Sequence, residues 1–391
     1  MTDMVAPYSV LVCGGQIGRF GRWNNLSLLD LVKPVLTGSL ASAGIKLADI
    51  GAAFVGNSFG GMLQNQETIL GQVLFSTLGF ASLRVHNVKN ACSSGSDAVH
   101  LGWSSVAYGQ YDCVLVVGVE KMTHPDHRGT MAALASASDR QPTSPNRSVF
   151  MDLNSERALR YMRVYGATPR HYAMCAVKNR AHALLNEKAA IRSAITVEDV
   201  LADRVVLNPL TRAMCGGIAD GAASLFLVSE KFARRHSLSG PRIIASSVEG
   251  GCSDRQDGPS VTARSAKAAY EYAGVGPVDI SLAEVHDPTS PQELFDIEDI
   301  GLCAPGGSIA LLERQATSLG GAIPVNVSGG LTARGHPVGA TGVAQIIEIA
   351  EQLEGRAGKR QVDGARIGIA QMAGGLVGAD SAVATVHILS V

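Results

Sequence analysis

One order of sequence patterns, a turn followed by a helix and a strand, occurs twice in the chain. It limits the possible folds more than any other feature. A Gly/Ser-rich turn opens a helical pattern, and a short apolar strand follows. In the first half the turn is 90–95 and the strand is 114–119. In the second half the turn is 335–342, the helical pattern 343–353 and the strand 367–370. Repeated strand–helix–strand units predict an α/β fold in which helices cover parallel strands.

Between the two copies the pattern changes. Residues 120–215 contain clusters of Ser, Asp, Arg and Pro, which indicate an inserted loop domain. The predicted organisation is therefore an N-terminal half over 1–119, this loop domain, the end of the N-terminal half over 216–250 and a C-terminal half over 251–391. Hydrophobic residues make up 46% of the chain, which suits a large and well-buried globular protein.

Charge and cysteine content exclude several classes of protein. A formal net charge of -1 provides no basic surface for nucleic acid, and it weakly favours an oligomer. The seven cysteines form no CxxC pair, so we expect reduced thiols and no metal site. The sequence has no basic signal region and no apolar run of about 20 residues. We therefore expect a cytoplasmic protein without a membrane span.

Cys92 is the candidate nucleophile. It stands at the start of a predicted helix, where free N–H groups and the helix dipole stabilise a thiolate and so lower a thiol pKa. Its small neighbours leave room for a substrate. The alternative, a buried structural cysteine in a Gly/Ser turn, is the commoner case for a cysteine considered alone.

Two histidines are candidate partners of this cysteine. His336 lies in a Gly-rich turn that also opens a helix, where the dipole disfavours imidazolium and leaves a neutral base. His286 follows the apolar run 280–285, and α/β folds place their sites at strand ends. The structural alternatives are a satisfied turn histidine and a strand-end histidine bonded to a carbonyl. Asp287 is expected to cap the next helix.

Together these motifs resemble the thiolase superfamily, and within it the sterol-carrier-protein-type branch (lipid-transfer-protein and acetyl-CoA acetyltransferase-like). The resemblance extends over nearly the whole chain. It depends on segments 88–95, 120–123, 208–211, 220–223, 286–287, 326–331, 335–342 and 374–375.

The resemblance implies a five-layered αβαβα fold of two similar halves with parallel-rich mixed sheets. The assembly would be a homodimer or a tetramer of dimers. A coenzyme A thioester would be the substrate, with no covalently bound cofactor. Cys92 would attack the thioester carbonyl, and His336 would accept the thiol proton.

The resemblance also implies the groups that bind the substrate. His286 would bind the thioester oxygen in the second half-reaction. The glycine-rich turn Gly374–Gly375 would supply an N–H that, with that of Cys92, surrounds the acyl-enzyme. Substrate contacts are implied at Ser328 and Gly329, and the loop 118–147 should shape the acyl pocket.

Two positions depart from the family pattern. Thiolases that make or break a carbon–carbon bond without decarboxylation use a second acid/base, usually a cysteine. Gln371 stands in the last glycine-rich turn and Pro288 follows the His-Asp motif, and neither can move a proton. Asp287, Ser290 or a water are the remaining candidates. The Cys–His–His set that is left resembles that of decarboxylating ketosynthases and suffices for simple acyl transfer.

Three functions are therefore open. The first is a thiolase-like acyltransferase on acyl-CoA or 3-ketoacyl-CoA, in lipid or sterol side-chain metabolism. The second is an aldolase or condensing subunit that works with a small partner protein bearing an OB-fold and a zinc ribbon. The third is a non-catalytic homologue that binds acyl-CoA or lipid.

Overall fold

The structure is a computed structural model that describes residues 7–80, 82–144, 147–254 and 258–391. The strands in chain order are β1 (Val10–Ile17), β2 (Ala52–Gly56), β3 (Arg84–Val88), β4 (Cys113–Glu120), β5 (Val205–Leu207), β6 (Leu210–Thr211), β7 (Gly221–Ser229), β8 (Arg242–Gly250), β9 (Leu282–Glu284), β10 (Ile367–Gly374) and β11 (Val383–Ser390).

The α-helices form most of the remaining regular structure. In chain order they are α1 (Leu28–Ala43), α2 (Gly60–Gln64), α3 (Leu70–Thr77), α4 (Ser94–Ala107), α5 (His127–Ala135), α6 (Val149–Tyr165), α7 (Pro169–Leu184), α8 (Val197–Ala202), α9 (Glu230–His236), α10 (Val261–Ala273), α11 (Ser290–Asp299), α12 (Gly307–Glu313) and α13 (Val338–Leu353). None of these helices, within the described ranges, is long and apolar enough to cross a lipid bilayer.

The main sheet contains nine strands of the described chain in the order β3-β2-β4-β7-β1-β8-β11-β10-β9. Strand β2 pairs parallel with β3 and β4, and β9 pairs parallel with β10. The strands between them pair antiparallel. The sheet is mixed, as expected, although parallel pairing is confined to its two ends and is less extensive than the sequence suggested.

Helices cover the outer faces of both halves of the sheet, and two further helices lie between the halves. Helices α1 and α3 pack on the outer face of the N-terminal strands, and α10 and α11 on the outer face of the C-terminal strands. Between the two halves, α4 and α13 share one core with strands from both. The result is the predicted five-layered α/β architecture. Strand β4 is buried along its whole length, in agreement with its β-branched run.

The strand pairing changes one predicted boundary. Strand β8 pairs with β11 over nearly its whole length and touches β1 through a single bridge between Leu11 and Arg242. It therefore belongs to the C-terminal half of the sheet, not to the end of the N-terminal half. The Gly/Pro-rich segment after it suggested a later boundary because such segments mark a break in regular structure, not a change of partner strand.

Glycines allow the starts of α4 and α13 to touch. A Cβ placed on Gly95 or on Gly118 would lie 2.3 Å from the carbonyl oxygen of Gly339. A Cβ on Gly342 would lie 2.5 Å from the backbone nitrogen of Ser96. The turns that open the two helices, one from each half, are consequently held side by side.

We expect Gly95→Ala to destabilise the protein, because the added Cβ meets a backbone carbonyl that cannot move alone. Overpacking of this kind costs about 1–3 kcal/mol in the free energy of unfolding. Thermal and urea unfolding would measure the loss. Gly250→Ala is the matched control, since a Cβ there meets nothing within 4 Å. Equal stability of the two variants would contradict the close-contact explanation.

Candidate active site

Cys92 lies in a tight turn between β3 and α4. The preceding residue, Ala91, has a φ of 48°, which is unusual for a residue other than glycine. The Ser93 and Ser94 N–H groups donate to the carbonyls of Asn90 and Ala91 at 3.1 Å each. This turn fixes the direction of the Cys92 side chain, which lines a cavity.

The end of β10 closes over this turn. A Cβ on Gly374 would lie 2.7 Å from the carbonyl oxygen of Asn90 and 3.0 Å from the Cys92 nitrogen, so only glycine fits there. The backbone N–H groups of Cys92 and Gly375 both act on the Cys92 sulfur and favour its thiolate. Gly374 and Gly375, the turn predicted to supply an N–H to the acyl-enzyme, therefore lie beside the candidate nucleophile Cys92.

The hydrogen-bond contacts of His336 allow one tautomer to be assigned. Its Nδ1 lies 2.8 Å from Thr341 Oγ1, and that hydroxyl donates its single proton to the carbonyl of Pro337 at 2.9 Å. With the hydroxyl proton on the Pro337 carbonyl, the hydroxyl oxygen accepts from His336, and this assignment places the ring proton on Nδ1. The Nε2 lone pair is left available, and among the described residues it has no hydrogen-bond partner.

His286 stands beside His336, at the end of β9. Their ring centroids are 5.4 Å apart and the rings are at 66°. The His286 backbone N–H donates to Gln371 Oε1 at 2.9 Å, and Gln371 Nε2 donates to Thr262. Gln371 therefore ties the His286 segment to β10 and α10, a role that the sequence did not indicate.

The three predicted side chains converge. The Cys92 sulfur and one ring nitrogen each of His286 and His336 all lie within 4.8 Å of one another. Cysteine and histidine are also the ligand types that zinc prefers, so the missing CxxC pair does not exclude a metal at this place. Direct proton transfer requires hydrogen-bond reach, about 2.6–3.2 Å, so these side chains would have to move closer for it.

Burial sets the protonation of these groups. Desolvation, and then the charge of Glu120, raise the pKa of Cys92 to about 12. The thiol pKa is thus raised, not lowered as the helix-start argument predicted, because loss of water outweighs the N–H groups. Desolvation and then Arg157 lower the pKa of His286 to about 3. Desolvation, His286 and Arg334 lower the pKa of His336 well below its usual value.

Glu120 joins the parts of the site together. Its fully buried carboxylate accepts hydrogen bonds from the N–H groups of Ser58, Phe59 and Gly339 and from the Asn57 side chain. Desolvation raises its pKa to about 7 in spite of these bonds. Since Pro337 provides no side-chain cap, Glu120 caps the start of α13 from the end of β4. The sequence signal available for this role was a single glutamate that directly follows an apolar strand.

Cys92, His286 and His336 line a cavity of about 390 Å³. Helices α5 and α6 and the segment 216–218 form much of its wall. The loop 118–147, expected to shape an acyl pocket, contributes Met122, His127, Met131, Leu134 and Arg147, while its residues 145 and 146 lie outside the described residues.

Other predicted residues lie away from this cavity. Ser328 is buried and binds Glu284 through both its N–H and its hydroxyl, and Gly329 packs on Ala183. Neither lines the cavity, and their substrate contact stays a prediction. Gly329 thus lies against α7, whereas Ser328 is bound to Glu284 of β9. A sequence motif shows which residues stay together, not which of them face a cavity.

Asp287 and Ser290, the proposed substitutes for the second acid/base, also do not reach the cavity. Asp287 accepts from the Leu331 N–H at 2.7 Å and from Asn179 at 2.9 Å, and it does not cap α11 as predicted. Ser290 donates to the Met214 carbonyl. Neither lines the cavity.

Family models match most of the chain. The model described as "Thiolase, N-terminal domain" matches residues 10–231, and "Thiolase C-terminal domain-like" matches residues 252–390. The chain belongs to the thiolase family. The predicted family is confirmed, and with it the expectation of an acyltransferase enzyme.

Several curated relatives of this thiolase-family chain cover most of its length. It is 37% identical to an acetyl-CoA acetyltransferase of Methanothermobacter thermautotrophicus, over 97% of this chain and 99% of that protein. It is 35% identical to the benzoylsuccinyl-CoA thiolase subunit BbsB of Thauera aromatica, over 83% and 84%. It is 32% identical to bovine (Bos taurus) sterol carrier protein 2, over 87% and 65%.

Solved structures confirm the thiolase fold. The Ltp2-ChsH2(DUF35) aldolase matches with a TM-score of 0.82 and 22% identity, over 99% of this chain and 98% of that chain. Human mitochondrial 3-ketoacyl-CoA thiolase matches with a TM-score of 0.77 and 17% identity, over 98% of both. At these identities the likeness concerns the fold alone.

We expect Thr341→Val to slow any reaction in which His336 is the base. Valine keeps the shape of threonine but offers no acceptor for the Nδ1 proton, so the tautomer with a blocked Nε2 gains population. The acylation rate of Cys92 by a reactive thioester should fall about 10–100-fold, the range for loss of a supporting hydrogen bond.

Thr341→Ser is the matched control, because it restores the hydroxyl. Its acylation rate should stay within a few-fold of the wild type. Rates measured by rapid-quench intact-mass spectrometry would distinguish the variants. A valine variant as fast as the serine variant would show that Thr341 does not set the tautomer.

Proposed function

We propose that this chain transfers an acyl group from a coenzyme A thioester through an acyl-enzyme on Cys92. The convergence of the Cys92 sulfur and two neutral histidines within 4.8 Å, at the wall of a cavity, carries this proposal. The thiolase-family relatives whose names include a coenzyme A thioester support the substrate class.

The first step begins with a neutral pair. Because burial disfavours the thiolate and the imidazolium, the Cys92 proton moves to His336 Nε2 only as the sulfur attacks the thioester carbon. The new carbon–sulfur bond forms on Cys92 and the bond to the coenzyme A sulfur breaks. The proton on His336 then passes to the departing thiolate, so the step leaves an acyl-Cys92, free coenzyme A and a neutral site.

Two sets of donors would stabilise negative charge. The N–H groups of Cys92 and Gly375 lower the pKa of the Cys92 thiol, and they would bind the oxygen of the acyl-enzyme carbonyl. Gly374 permits this arrangement because it has no side chain. His286 would bind the carbonyl oxygen of the acceptor in the second half-reaction.

One wall of the cavity suits the phosphates of coenzyme A. Arg22 and Arg212 line it next to the segment 216–218, and Arg204 lies beside Arg212, whose N–H donates to the Arg204 carbonyl at 2.9 Å. Arginine binds phosphate through paired, charge-assisted hydrogen bonds. We propose this arginine group as the coenzyme A side of the cavity.

A partner-dependent aldolase or condensing reaction is the second candidate. Among the described lining residues, Cys92 and the histidines are the acid/base groups, and no aspartate or glutamate is present. Removing a proton from a substrate α-carbon would need another base, which a second subunit can supply. The relative from Thauera aromatica is named as a subunit, and one structural neighbour is named with ChsH2(DUF35).

A homodimeric state and a cytoplasmic location belong to the proposal as well.

Incubation with a panel of acyl- and 3-ketoacyl-CoAs tests the main proposal. Intact-mass spectrometry should show an acyl-sized gain that disappears in Cys92→Ala. In His336→Asn the rate of the gain should fall about 10²–10⁴-fold, as for loss of a general base. If folded wild-type protein gains no mass with any thioester, the acyltransferase proposal is wrong, and the partner-dependent aldolase and the non-catalytic homologue are favoured.

A further inference from the structure

Cys92, His286 and His336 are also arranged as a set of metal ligands. The Cys92 sulfur and one ring nitrogen of each histidine lie within 4.8 Å of one another. Around a tetrahedral Zn²⁺ ion with ordinary Zn–S and Zn–N bonds, such atoms are about 3.3–3.6 Å apart. Side-chain rotations that move the ligand atoms by about 1 Å would therefore enclose an ion. The three residues come from separate segments, so no local cysteine spacing signals them.

The protein leaves one ring nitrogen of each histidine without a partner. Within the described part of the chain, the Nε2 atoms of His286 and His336 are buried and have no hydrogen-bond partner. A buried polar atom of this kind is costly unless it serves a catalytic role or binds a water or an ion. Two such atoms beside a cysteine sulfur are what a metal ion needs.

The surroundings of the site support a bound cation. His336 Nδ1 lies 2.8 Å from Thr341 Oγ1, and with the ring proton on Nδ1 the Nε2 lone pair is free for a metal. Metal-binding histidines commonly donate their other ring N–H in this way. The charge of Glu120 also acts on the Cys92 sulfur, and a negative charge there attracts a cation.

We propose that Cys92, His286 and His336 form a site for Zn²⁺, and that the bound ion inhibits the enzyme reversibly. The inhibition rests on the proposed acyl transfer to Cys92, whereas the binding of the ion does not. Cys92 would bind as a thiolate, with its proton released to solvent, and the cavity leaves a fourth position for water. With the sulfur and the His336 nitrogen both bound to the ion, the site could not attack a thioester.

The lining of the cavity limits which metal fits. The described lining residues include five arginines and no aspartate or glutamate. Their positive charge opposes any cation, and a hard ion such as Mg²⁺, which prefers oxygen ligands, would gain no carboxylate in return. A thiolate and two imidazoles instead form strong bonds with Zn²⁺, and with Co²⁺ as its spectroscopic substitute. The site should therefore bind Zn²⁺ and Co²⁺ but not Mg²⁺.

A titration of metal-free protein with Co²⁺ tests the site without any substrate. The wild type should gain a thiolate-to-cobalt charge-transfer absorption that Zn²⁺ abolishes by displacing the cobalt. Cys92→Ala should lack this absorption, and Cys252→Ala, which removes an exposed thiol, should keep it. Cys92→Ser takes the place of the alanine variant if that variant does not fold. No absorption in the wild type, or the same absorption without Cys92, would overturn the metal site.

Competition with a colorimetric chelator measures the affinity for Zn²⁺. His336→Asn should weaken binding by at least about 100-fold, because loss of a residue that only supports a ligand already costs about 10–100-fold. Thr341→Val should show that smaller loss, and Thr341→Ser should restore the affinity. An unchanged affinity in His336→Asn would also overturn the site.

Acylation of Cys92, followed by intact-mass spectrometry, tests the inhibition. It should stop when Zn²⁺ is bound, resume after EDTA is added and remain unchanged with Mg²⁺. Acylation that continues at saturating Zn²⁺ would overturn the inhibitory role. If no thioester acylates even the metal-free protein, the proposed function is wrong, and the cobalt titration still decides whether the metal site exists.

Discussion

The contact between the first turns of α4 and α13 is the constraint on which the site depends. Gly95, Gly118 and Gly339 leave no room for side chains there, so the two turns lie directly side by side. The buried carboxylate of Glu120 then binds the start of α13 and the loop after β2 together. One turn carries Cys92 and the other carries His336, and the contact therefore places the proposed nucleophile beside its proposed base.

The same contact explains the unusual electrostatics. Two helix starts packed between the halves of a sheet exclude water, and desolvation is the largest cause of the shifted pKa values at Cys92, His286 and His336. All three groups are therefore held neutral near pH 7. In the proposed reaction a neutral pair would create charge only when a substrate arrives, and the N–H groups of Cys92 and Gly375 would stabilise that charge.

Much of the fold and the centre of the site follow from the sequence, because turn chemistry and periodicity are local. The two repeated turns predicted the starts of α4 and α13, and the family motifs identified Cys92 and His336. Contacts over long separations were not predictable. Nothing local shows that β8 pairs with β11, that Asp287 faces the Leu331 N–H, or that Glu120 caps a helix more than 200 residues later. The pKa of Cys92 was misjudged for the same reason, since burial arises from the whole fold.

The pH dependence of the Cys92 thiolate tests the neutral pair most directly. The ultraviolet absorbance of the thiolate is measured between pH 6 and pH 9 as the difference between wild-type protein and Cys92→Ala. With a thiol pKa raised to about 12, the thiolate fraction should stay small throughout and rise about tenfold per pH unit, without a plateau. A thiolate signal that is already full and constant from pH 6 upward would show a preformed thiolate–imidazolium pair, and would contradict the account.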